Sequence, residues 1–152
     1  MTLKNAGTKV HFIILLLAII AVPAVPQTSL LHDPASCIGF TLTELIGHYG
    51  VPRSVRASRG IEEWQDDVVF VYDTENFYIV NDRVWQIEVK SAYLINSGDP
   101  GSSVFLRFGE AVARRPDYAV FRLNGYSWPL EIRFNFNAAG IITMIYIYRS
   151  DL

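Results

Sequence analysis

The chain has one cysteine, Cys37, among its 152 residues, so it cannot close an internal disulfide whatever compartment it occupies. Histidine is almost as scarce: only His11, His32 and His48 are present. His11 falls in an apolar leader and His32 in a stretch rich in proline and turn formers. His48 alone falls within an expected element, on a helix face away from Leu45 and Tyr49, where a solvated imidazole near the C-terminal dipole is expected rather than a base. No G-x-S-x-G, H-E-x-x-H, paired C-x-x-C, P-loop or Rossmann fingerprint occurs, so no catalytic residue is assigned and no cofactor is expected. Glu62, Glu63, Asp66 and Asp67 form one acidic run. It lacks the alternating Asp or Asn and the glycine of calcium loops, so it reads as a solvated turn and no metal is expected.

Positive charge is also missing. The formal net charge is −2. Without Lys4 and Lys9 of the leader, thirteen basic groups become eleven against fifteen acidic ones, a net of −4. That balance gives no field to attract nucleic acid or anionic lipid, and nucleic acid is not expected as a partner. Arg53, Arg56 and Arg59 recur every third residue before the acidic run, and local pairing with Glu62, Glu63, Asp66 and Asp67 is the simplest use for them.

What the chain does have begins at its N-terminus. Lys4 and Lys9 precede an apolar run from Val10 to Val22, then Pro23 and Ala24. Charge, a short apolar core and small residues, in that order, describe a secretory signal peptide over residues 1–24. The competing reading is an uncleaved anchor over residues 10–25, short of the about 20 residues of a full span. In both readings the rest of the chain lies outside the cytoplasm, in the periplasm or cell envelope. An uncleaved leader would be its one membrane contact. Cys37 reads as a buried thiol. A lipidated cysteine should directly follow the apolar run, and here Pro26, His32 and Asp33 intervene.

Residues 25–40 show no hydrophobic period and read as a linker or arm. Thr41-Leu42-Thr43-Glu44 matches a capping box. Leu42, Leu45, Ile46 and Tyr49 follow at helical spacing, then Gly50 and Pro52 as stop signals, so a helix is expected near 42–49. Strands are expected at 68–73, 77–80 and 84–89, forming a one-sided meander. Its core face would collect Val68, Phe70, Tyr72, Phe77, Ile79, Trp85, Ile87 and Val89, with Gln86, Glu88 and Lys90 opposite.

The same order returns. The segment 97–103 supplies turn and cap residues, Val104, Phe105 and Phe108 mark a helix near 102–108, and Gly109 stands where Gly50 stood. Strands follow at 118–123, 127–136 and 141–148, with Asn124-Gly125 as a hairpin signal. The expected fold class is therefore α+β: two tandem helix-plus-antiparallel-meander repeats, 41–96 and 97–152, forming one small domain. Leu45 to Pro52 with Val68 to Val89, and Val104 to Gly109 with Tyr118 to Tyr148, carry a resemblance to the tandem-repeat fold of β-lactamase inhibitory protein and to the SmpA/OmlA-type outer-membrane assembly lipoproteins. The resemblance implies a protein-binding role without catalysis. The chain departs from both patterns: one cysteine cannot supply the first family's disulfides, and no lipobox abuts the leader.

Within the second half, Trp128, Leu130, Ile132, Phe134 and Phe136 alternate with Glu131, Arg133 and Asn135, while 141–148 is apolar on both faces. Placing Phe136 opposite Ile141 sets Asn135 against Ile142, Arg133 against Met144 and Glu131 against Tyr146. The candidate binding residues are then Arg133, Asn135, Tyr146, Tyr148 and Glu131, since Tyr and Arg are enriched at binding hot spots. The function expected from the sequence is an exported, non-enzymatic envelope or periplasmic protein that binds another protein through this sheet face. The alternatives are a hydrolase whose site has no recognisable motif, or a purely structural envelope component.

Overall fold

The computed structural model describes residues 33–59 and 67–152. The expected leader, the first half of the arm (25–32), and Glu62, Glu63 and Asp66 lie outside the described residues.

Helix α1 spans Leu42–Tyr49 and is closed at both ends by local chemistry. The Thr41 hydroxyl accepts from the Glu44 amide, and the Glu44 carboxylate accepts from the Thr41 amide at 2.8 Å. Gly50 ends the helix at φ 77°, a conformation that costs glycine little. Helix α2, Ser102–Phe108, has no side-chain cap. Its start is instead clamped to the last hairpin, where the Gly101 amide donates to the Gly140 carbonyl at 2.7 Å. A Cβ at Gly101 would stand 2.9 Å from that same oxygen, so the approach requires glycine.

The strands are β1 (Ser54–Ser58), β2 (Asp67–Val71), β3 (Glu75–Val80), β4 (Arg83–Val89), β5 (Ser91–Ala92), β6 (Ile95–Asn96), β7 (Ala113–Arg114), β8 (Tyr118–Leu123), β9 (Leu130–Phe136) and β10 (Ile142–Arg149). Eight of them form one sheet in the order β1-β2-β3-β4-β10-β9-β8-β7, and each neighbouring pair is antiparallel. The expectation of two helix-plus-meander repeats is therefore corrected. The structure is a sheet-dominated fold in which β4 and β10 pair directly, Ile87 opposite Ile147 and Val89 opposite Ile145. Those four side chains are buried apolar groups, so separating the halves would expose the centre of the core.

One face of the sheet carries that core. Phe77, Ile87, Ile145, Ile147, Ile132 and Phe134 have no measurable exposure, and Leu45 of α1 and Val104 of α2 join the same cluster. Tyr49 packs edge-on against Phe77 at 4.8 Å, and Phe108 lies 5.2 Å from Phe121 and 5.5 Å from Phe134. Both helices thus cover the same face. Of the expected arm, residues 33–40 belong to this layer: Pro34–Cys37 form a 3-10 turn, and Ala35, Cys37 and Ile38 are buried. Gly39 and Phe40 exchange backbone hydrogen bonds with Val84 at 2.8 and 2.9 Å. Among the described residues, no helix is long and apolar enough to cross a membrane.

Candidate functional site

The second face of the sheet has no helix over it among the described residues. Its composition follows from register. One row crosses the sheet as Arg56, Val69, Tyr78, Gln86, Tyr148, Glu131 and Arg122. A second runs through Asn76, Glu88, Tyr146, Arg133 and Val120. Paired residues in antiparallel strands share a face, so the tyrosines stand among the charged groups and away from Phe134.

Two bulges decide this arrangement. In β10 the pairing steps from Ile142 opposite Phe136 to Met144 opposite Asn135, which leaves Thr143 without an opposite number. The expected register is corrected accordingly: Arg133 opposes Tyr146 rather than Met144, and Glu131 opposes Tyr148 rather than Tyr146. Ile142 is a core residue, 1% exposed. An extra residue inverts the alternation from that point, which returns Ile145 and Ile147 to the core and Tyr146 and Tyr148 to the outer face. In β4 the extra residue is Trp85, because pairing steps from Gln86 opposite Tyr78 to Val84 opposite Ile79, so Val84 takes the core position expected for Trp85. Trp85 instead reaches the outer side, where its indole donates to Asp67 Oδ1 at 2.9 Å. Val68, also expected in the core, is exposed, and Val69 beside it is buried on the outer side between Arg56 and Tyr78.

Arg133, Asn135, Tyr146, Tyr148 and Glu131 all line one open groove of about 540 Å³, shared with Trp85. Arg133 is held twice, its Nε donating to Asn135 Oδ1 at 2.7 Å and its guanidinium lying 4.0 Å over the Tyr118 ring. The Tyr148 hydroxyl donates to Glu131 at 3.1 Å, and the Tyr78 hydroxyl to Glu88 at 3.1 Å. Burial, reinforced by these carboxylates, pushes both phenols up to about 12. Burial likewise raises Tyr146, with Glu88 adding to it and Arg133 opposing it. These groups therefore stay neutral near pH 7, able to donate hydrogen bonds while presenting apolar ring surface.

Trp85 and Arg149 at the groove escaped the sequence reading, and Gln86, expected on the face away from the core, joins them there. Tyr118 was legible: Tyr118, Val120 and Arg122 alternate with the buried Ala119, Phe121 and Leu123. Trp85 was not, because the bulge that turns it outward leaves no mark in the alternation. Arg53 pairs with Asp73 at the β2–β3 turn, its amide being held by the Val71 carbonyl at 2.9 Å, and its expected partners Glu62, Glu63 and Asp66 lie outside the described residues. His48 is exposed and in edge contact with Phe40 and Tyr49. Among the described residues, no group of three or more His, Cys, Asp or Glu could hold a metal ion.

No family model and no curated protein matches the sequence. Solved structures of similar fold include the following two. An extracellular protein containing a SCP domain from Bacillus anthracis str. Ames matches with TM-score 0.53 and 12% identity over 79% of this chain and 46% of its own. A cysteine-rich secretory protein from Staphylococcus aureus subsp. aureus Mu50 matches with TM-score 0.49 and 7% identity over 80% of this chain and 47% of its own. The chain spans under half the length of either structure. The resemblance to β-lactamase inhibitory protein and the SmpA/OmlA lipoproteins is thereby corrected: the structural similarity is to the SCP-containing Bacillus anthracis protein, and at 12% identity it is a similarity of fold alone.

Proposed function

We propose that this is an exported, non-enzymatic protein that binds another protein through the outer face of its sheet. The observation that carries the reading is the groove in which Tyr146, Tyr148 and Trp85 lie beside Arg133, itself fixed by Asn135 and Tyr118. Rigid aromatic rings lose little side-chain entropy on binding, and a guanidinium already held in place loses less still. The charges of the face, Glu88, Glu131, Arg133 and Arg122, alternate in sign along the rows, which suits a polar protein surface better than a uniformly charged polymer. Export is supported by the order of charge, apolar run and small residues at the N-terminus, and by the extracellular description of the Bacillus anthracis protein of similar fold.

The test is affinity capture from the native envelope, followed by titration with the purified captured protein. Tyr146→Ala and Arg133→Ala should each weaken binding by about fivefold or more, corresponding to about 1 kcal/mol. Arg107→Ala, on exposed surface of α2 beneath the other face, should leave it unchanged. Undiminished binding by stably folded groove variants would remove the groove from the function.

A further inference from the structure

The two margins of the sheet are built differently. At one end β7 is only two residues long. Short strands and prolines blunt an edge against further pairing. At the other end β1 is a regular strand of five residues, paired with β2 at every position from Ser54 to Ser58. Its other side meets no strand of the sheet among the described residues. Four of its five residues are exposed, and Val55 keeps 54% of its surface in contact with solvent. No proline, glycine or lysine interrupts it. In an antiparallel pair, alternate residues aim their N–H and C=O groups away from the partner, so β1, about 17 Å long, presents backbone groups that no described residue pairs.

We infer that β1 is a docking edge for an extended acidic segment of a partner protein, which adds to the sheet as a further antiparallel strand. Side chains give the direction of choice. Arg56, the central residue, faces the outer side and forms no ion pair among the described residues, whereas Arg53 just before it is committed to Asp73. An added strand places one side chain directly opposite Arg56, where a carboxylate is favoured and a cation disfavoured. On the core side, Val55 and Ala57 call for apolar residues at the flanking positions. A second copy of β1 fits poorly: the register that pairs all five residues sets Arg56 against its own counterpart, and a slip of two residues leaves three pairs. This mode draws its energy from main-chain hydrogen bonds, unlike the groove, and it stands independently of the proposed use of Tyr146 and Arg133.

The probe is a capped peptide, Ser-Thr-Val-Glu-Val-Thr-Ser, added to the full chain with amide hydrogen exchange followed residue by residue. Protection should appear within 54–58 and should be unaffected by Tyr146→Ala. Replacing the peptide's glutamate by lysine should weaken binding by about fivefold, and Arg56→Glu should reverse that preference. A peptide with alternate amides N-methylated should not bind, because the ladder needs its N–H donors. Protection confined to β9 and β10, retained binding of the methylated peptide, or a charge preference that Arg56→Glu does not reverse would each overturn the inference.

Discussion

The indole N–H of Trp85 donates to the Asp67 carboxylate at 2.9 Å, tying β4 to β2 across the intervening β3 on the outer face. The bond holds Trp85 at the rim of the groove and fixes the start of β2. Trp85→Phe keeps a ring but removes the donor and should cost about 0.5–1.5 kcal/mol, read as a lowered urea midpoint with an unchanged slope. A change in slope would indicate instead that the substitution had altered the surface exposed on unfolding.

Gly39 is required by two separate constraints. Its φ is +90°, and an added Cβ would stand 2.5 Å from the Trp128 indole nitrogen. Gly39→Ala should therefore destabilise the fold by about 1–3 kcal/mol. Trp128 is partly exposed and stacked under Arg149 at 3.9 Å, so the ring has room to be removed. In the double variant with Trp128→Ala the steric share should disappear while the backbone share remains, giving a coupling measurable by denaturation of all four proteins.

Tyr78 and Tyr148 give the fold an alkaline limit. Both phenols have folded-state values of about 12 against an ordinary 10.0, so the native chain holds these protons more tightly than the unfolded chain. Their contribution is complete below about pH 10 and is lost as pH rises from there to about 12. Denaturation midpoints should fall across that window, and Tyr148→Phe should make the fall shallower. An equally steep fall in the variant would show that Tyr148 ionises as freely in the native state as in the unfolded one.

The parts of the structure written in local chemistry were legible in the sequence. The capping box at Thr41 and the stop at Gly50 bound α1, and the alternation of Leu130, Ile132 and Phe134 with Glu131, Arg133 and Asn135 separates the faces of β9. Long-range pairing was not legible. Nothing local to β4 or β10 says that the strands meet, and that contact converts two expected meanders into one sheet. Bulges escape for a different reason: Trp85 and Thr143 look like ordinary strand residues, and only the partner strand shows that one of them is extra. The edge strand β1 had no signal because its residues are largely exposed on both sides, so no period of burial marks Ser54–Ser58.

Cys37 decides between a buried thiol and a lipid anchor. It sits in the 3-10 turn at 1% exposure, its sulfur 3.7 Å from the Tyr49 hydroxyl, with burial raising the thiol above its ordinary value of 9.0. The thiolate is the reactive form, so the folded chain should resist a maleimide even at alkaline pH, while one thiol should react in urea. Between those limits the labelling rate should follow local opening of residues 33–40 and rise in variants that loosen them, Gly39→Ala foremost. A lipid on this sulfur needs the opposite geometry, since an acyl anchor cannot reach a bilayer from inside the core. Lipidation would also require the chain to begin at Cys37, which deletes Asp33, whose carboxylate accepts from Tyr126 at 2.6 Å and Tyr93 at 3.2 Å. Intact mass and thiol titration of the mature protein separate the cases. A start before Asp33 with one free thiol in urea is the expected result, and a start at Cys37 with added acyl mass and no free thiol would mean that this turn does not fold as described.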